Sequence, residues 1–75
     1  MQITLDQLRP GRNGTVLAID TPKSLTARLR DFGMIPGTQV RCCYRSPQGK
    51  VTALEFMGAV IAIRTVYLES IQVEC

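Results

Sequence analysis

The sequence predicts a mainly β fold with short helices, a small SH3-like five-stranded barrel. Three observations carry that expectation. Strand-length runs rich in Val, Ile and Thr recur along the chain, and Gly, Pro and Asn punctuate the gaps between them. The first long run, GTVLAID at residues 14–20, is apolar on both faces, as a strand of a small closed barrel would be. The best helical pattern falls between the first and second long strands, whereas an OB-type barrel, the nearest rival, carries its helix between the third and fourth.

Taken in order, Thr4 and Gln7 have the spacing of a capping box, and Pro10-Gly11 stops the short helix they would open. In the strand at 14–20, Val16 and Ala18 share one face and Leu17 and Ile19 the other. Thr21-Pro22 then reads as a helix start, with Thr21 as N-cap and proline, whose φ is preset, at the first helical position. The helix is expected from Pro22 to Phe32. Leu25, Leu29 and Phe32 form one stripe at helical spacing, and Lys23, Arg30 and Asp31 lie off it. Gly33 supplies a left-handed C-terminal cap. Pro36-Gly37 suits a type II turn, with proline fixing φ at its second position and glycine supplying φ > 0 at its third.

A strand from Thr38 to Arg45 follows, with Val40, Cys42 and Tyr44 on one face and Arg41, Cys43 and Arg45 on the other. SPQGK at 46–50 is a hairpin loop into the strand VTALEFM, and Gly58 separates that strand from AVIAIRT. A helical turn around Val66 to Glu69 and a final strand at 70–74 complete the chain. One domain accounts for all 75 residues, since so short a chain cannot divide its core.

Composition narrows the function classes. Nine Lys and Arg against six Asp and Glu give a net charge of +3, a mild bias toward acidic surfaces or anionic ligands. Histidine, the commonest general base, is absent, and the carboxylates are scattered singly, so an enzyme is not expected. The glycines sit at turns and breaks and form no phosphate-binding motif. A nucleic-acid-binding barrel would need clustered basic residues and exposed aromatic rings, and here the basic residues are dispersed with only two Tyr and two Phe. The absence of Trp also disfavours a peptide-binding SH3 groove for proline-rich segments.

Cys42, Cys43 and Cys75 make a poor disulfide framework and fit a reducing compartment. In a strand the adjacent pair points to opposite faces, which argues against one ion held by both, and no CxxC spacing exists. A transition-metal-binding regulator is weakened accordingly. The N-terminal MQITLDQLRPG lacks the features of a signal peptide, and no run is long enough to span a bilayer, so a soluble cytoplasmic protein is expected. Arg28, flanked by Leu25 and Leu29, is open to two readings, a contact for a partner or anion and a stem packed on the barrel rim with a wet head. Arg64 ends an apolar strand and is expected to pair with a nearby carboxylate.

GRNGTVLAI at 11–19, RLRDFGMIPGTQV at 28–40, SPQGK at 46–50, GAVIAIR at 58–64 and ESIQVE at 69–74 resemble the FeoA family, in order and over nearly the whole chain. The most specific piece is the RL-x-x-x-G-x-x-PG core. Within the resemblance Leu25, Leu29, Phe32, Gly33, Pro36, Gly37, Gly58 and Arg64 carry the structural pattern. The resemblance implies a non-enzymatic accessory protein of bacterial ferrous-iron uptake, cytoplasmic and held at the inner membrane through a partner. That partner would be a FeoB-type transporter, met at its cytoplasmic GTP-binding domain, with no nucleic acid involved. Candidate contacts are Lys23, Arg28 and Arg30 on the helix and Gln48 and Lys50 in the hairpin. No cofactor is required; iron or zinc enters by resemblance alone. The adjacent cysteines of CCY at 42–44 depart from that pattern, and no metal ligand is assigned. Oligomeric state is left open.

Overall fold

In a computed structural model, which describes residues 1–75, an antiparallel sheet wraps around one core. Its strands are β1 (Gln2–Thr4), β2 (Asn13–Ile19), β3 (Gln39–Arg45), β4 (Val51–Phe56), β5 (Ala59–Arg64) and β6 (Ile71–Glu74). Helix α1 (Lys23–Asp31) joins β2 to β3, and the single turn α2 (Thr65–Leu68) joins β5 to β6. The six strands lie in the order β1-β6-β2-β3-β4-β5. The mainly antiparallel architecture with short helices is the expected one. The count differs by one strand, and β1 and β5, at the two ends of the sheet, do not pair with each other, so the ladder does not close into a barrel.

The additional strand comes from the segment read as a capping box. Thr4 pairs with Gln72 as the last residue of β1, makes no side-chain cap, and precedes only a 3₁₀ turn at Leu5–Gln7. Pairing with a strand from the far end of the chain wins over a local cap worth about 1 kcal/mol. Thr21 is likewise not the cap of α1. Its hydroxyl meets that of Thr26 at 2.6 Å, and the flanking position falls to Pro22.

Two bulges change which side chains face inward. Between Cys42 and Tyr44 the pairing to β4 slips by one residue, so Cys42 opposes Leu54 while Tyr44 opposes Ala53. Cys43 is the extra residue, and the alternation inverts beyond it. Tyr44, expected beside Val40 and Cys42, is 58% exposed. Arg45 takes the inward side, where Nε donates to Thr52 Oγ1 at 3.0 Å and Nη2 donates to the Leu8 carbonyl at 3.1 Å. A second slip, between Val16 and Ala18, makes Leu17 the extra residue of β2 and leaves it exposed.

The segment from Arg28 to Val40 behaves as its residues require. Gly33 has φ +101°, and the amides of Gly33 and Met34 donate to the carbonyls of Arg30 at 2.9 Å and Leu29 at 2.8 Å. That pair of bonds is a Schellman cap, which brings the residue after the glycine back onto the last turn. Met34 is buried against the same core as Leu29 for this reason. A Cβ on Gly33 would stand 2.8 Å from the Met57 side chain, so close approach as well as φ requires glycine here. Gly37 has φ +96°, and Thr38 donates to the Ile35 carbonyl at 3.0 Å, the pattern of a type II turn at Pro36-Gly37. Reciprocal bonds between Val16 and the turn fix it to β2: the Gly37 amide donates to the Val16 carbonyl and the Val16 amide to the Thr38 carbonyl.

Candidate functional site

The face that combines charge with exposed apolar surface lies where α1 runs beside β5. One turn-by-turn stripe of α1, formed by Leu25, Arg28, Leu29 and Phe32, faces Ile61, Ile63 and Arg64 of β5 across a groove of about 200 Å³, with Tyr67 of α2 at one end. The stripe is the one read from helical spacing, but its burial is graded. Leu29 is buried in the core, Leu25 is half-buried, and Phe32 is 49% exposed. Phe32 occupies the C-cap of α1, and its half-exposed ring forms a wall of the groove.

Arg28 and Arg64 contribute the charge of the groove, and no carboxylate lines it. The ion pair expected at Arg64 is not formed. The one ion pair of the chain joins the N-terminal ammonium to Glu74, and Arg64 stays exposed at the start of α2. The outward side of β5 carries Val60, Ala62 and Arg64 with no acid among them, Arg64 pairs across to Val51, and Glu69, which shares a depression with Arg64, makes no ion pair with it. Arg64 also borders a second depression with Lys50, Thr65 and Glu69. Arg28 and Lys50 therefore lie on either side of Arg64. Lys23, Arg30 and Gln48 are exposed but line neither depression. Arg30, two residues beyond Arg28, projects about 200° around the helix and away from the groove.

Cysteine chemistry is divided as the strand geometry predicts. Cys42 is buried, Cys43 and Cys75 are exposed, and all are free thiols. Burial is the main cause that pushes the Cys42 thiol pKa above its ordinary value, with the nearby Arg45 guanidinium opposing it. No three His, Cys, Asp or Glu side chains come together as a metal-binding group, so the donor set does not fit a resident transition metal. Sequence reasoning missed Met34, Ile61 and Tyr67. Only Met34 had a readable signal, its position just after the capping glycine, where a hydrophobic contact back to the helix is frequent.

The curved antiparallel sheet, with its helix between β2 and β3, defines the class: a small SH3-like β domain. The FeoA domain model matches residues 3–75, and the chain belongs to this family, which is associated with ferrous-iron transport. No curated relative matches the chain significantly. Among solved structures, the FeoA protein from Chlorobium tepidum is similar with a TM-score of 0.92 at 22% identity, over 96% of this chain and 69% of that one. An iron uptake regulatory protein (FeoA) has a TM-score of 0.83 at 23% identity, over 99% of this chain and 97% of its own. Stenotrophomonas maltophilia FeoA, an SH3 domain protein solved in complex with zinc, has a TM-score of 0.83 at 21% identity, over 96% of this chain and 89% of that one. At these identities the structural likeness speaks to the fold. No helix of the chain is long and apolar enough to cross a membrane.

Proposed function

We propose that this protein is a non-enzymatic accessory module of ferrous-iron transport that binds a FeoB-type transporter at its cytoplasmic GTP-binding domain. The observation that carries the reading is the groove between α1 and β5, where the unpaired Arg28 and Arg64 flank the exposed apolar side chains of Phe32 and Tyr67. Apolar contact surface bordered by uncompensated charge is the composition of a docking face: the apolar part supplies affinity, and the charge supplies encounter rate and orientation. Lys50, beyond Arg64, extends the same positive field. Lys23, Arg30 and Gln48 belong to its periphery. Family membership supplies the transport system, and the transporter's identity as partner rests on the resemblance of the motifs.

Titration of the isolated GTP-binding domain tests the reading. Arg28→Glu is expected to weaken binding about tenfold, chiefly through the association rate, with the loss shrinking as salt rises. Arg30→Glu, on the other side of the helix, should change affinity less than about threefold. Equal affinity of wild type and Arg28→Glu at low salt would move the interface away from the groove, and Lys50→Glu would then test the Ser46 to Lys50 hairpin.

A further inference from the structure

Strand β5 is an unpartnered edge of unusual openness. Its six residues pair with β4 in unbroken register from Val51↔Arg64 to Phe56↔Ala59. The Thr65 amide donates to the Lys50 carbonyl at 2.8 Å, which makes Lys50 and Thr65 a hydrogen-bonded pair and fixes the phase of the ladder. The alternation then turns the amides and carbonyls of Val60, Ala62 and Arg64 away from β4. No loop or side chain bonds the three amides or the Val60 and Ala62 carbonyls, while the Arg64 carbonyl turns into the first turn of α2 as its N-cap. Folded proteins blunt such edges with proline, a bulge, lysine or inward-pointing charge, and β5 has none of these between Ala59 and Ile63. At the other end of the sheet, β1 has only three residues.

The groove lies along this same edge. Helix α1 stands beside β5 and leaves Phe32 and Tyr67 exposed across the gap. A strand added to β5 would alternate its side chains, one set entering the groove and the other lying beside Val60, Ala62 and Arg64. The entering set meets apolar walls. Arg28 and Arg64, neither in an ion pair and with no carboxylate in the groove they line, favour acidic side chains at the rim. A second copy of this chain is the wrong occupant, because pairing β5 with itself about Ala62 would set each Arg64 opposite Val60 and bring no carboxylate to either arginine.

We propose that the β5 edge and its groove bind an extended partner segment of alternating apolar and acidic residues, added as a further strand of the sheet. The proposal rests on the reading of this face as a docking surface and specifies its mode. Two probes keep the two ideas separable: a short synthetic peptide alternating leucine and glutamate, and the transporter's GTP-binding domain. With the isotope-labelled protein, the Leu/Glu peptide is expected to protect the amides of Val60, Ala62 and Arg64 from hydrogen exchange, and a Leu/Lys peptide is expected not to.

Ala62→Pro removes an outward N–H that the ladder does not use, a place where an edge strand tolerates proline. It should keep a dispersed spectrum and lower peptide affinity about tenfold or more. Should that variant fail to fold, the double charge reversal Arg28→Glu with Arg64→Glu should produce the same loss. Wild-type affinity in a folded Ala62→Pro variant, or in the charge-reversed protein where proline unfolds the chain, would overturn the proposal. So would equal binding of the Leu/Lys peptide, no protection of β5 by the Leu/Glu peptide, or protection that rises with protein concentration alone. Protection by the peptide with no binding of the domain would uphold the strand-addition site and remove the transporter reading. Domain binding with β5 unprotected by either probe would do the reverse.

Discussion

Leu29 and Phe32 lie on one stripe of α1 and have different work. Leu29 is 2% exposed and anchors the helix to the core, so Leu29→Ala should cost about 2–5 kcal/mol, a large share of a small domain's stability. Phe32 is half-exposed, and Phe32→Ala should cost about 1 kcal/mol or less while opening one wall of the groove. Chemical denaturation of both variants separates the two roles; equal losses would place the ring in the core. The cysteines divide in the same way. Burial pushes up the Cys42 pKa and hides its sulfur, which also accepts a bond from Arg45 at 3.7 Å. Only the thiolate reacts readily with alkylating agents, so iodoacetamide near neutral pH should label Cys43 and Cys75 and spare Cys42 until the chain is unfolded. Mass spectrometry of the labelled peptides checks this, and prompt labelling of Cys42 in the native protein would contradict the burial.

Among the elements, the β4–β5 hairpin carries a local strain that can be relieved. Its two-residue loop places Met57 at φ 51° and Gly58 at φ 79°, both positive as a type I′ turn requires. Glycine takes that conformation freely, and methionine does so at a cost of about 1 kcal/mol. Asparagine is the residue favoured at the first position of this turn, and Met57 is 73% exposed with little burial to lose. Met57→Asn should therefore raise the melting temperature by roughly 4 °C, measured by circular dichroism. An unchanged or lower value would mean that the Met57 contact over Gly33 outweighs the strain. The bulge at Cys43 has a different effect, since it delivers Arg45 to the inward side, where the guanidinium ties β3 to β4 and to the turn after β1.

Over the whole molecule, one core holds strands from both ends of the chain without a covalent staple. Thirteen buried hydrophobic residues form it, and the cysteines are free. Reductant should leave the thermal transition unmoved, with a single cooperative melt; a fall in melting temperature on adding it would reveal a disulfide. The sequence by itself determined what depends on neighbours along the chain. The helix stripe at Leu25 and Leu29, the glycine cap at Gly33, the turn at Pro36-Gly37 and the strand-length runs follow from local periodicity and local φ preferences, and each stands where the residues put it. Of the candidate contacts, the sequence could set Arg28 beside the apolar stripe but not opposite Arg64, which lies far along the chain. Tertiary structure alone decided that Thr4 belongs to a strand, that Tyr44 turns outward and Arg45 inward, that the sheet stays open at β5, and that Arg28 and Arg64 share a groove. Strand pairing, bulge position and edge exposure are set by which distant segment lies alongside, and that information is absent from any short window of sequence.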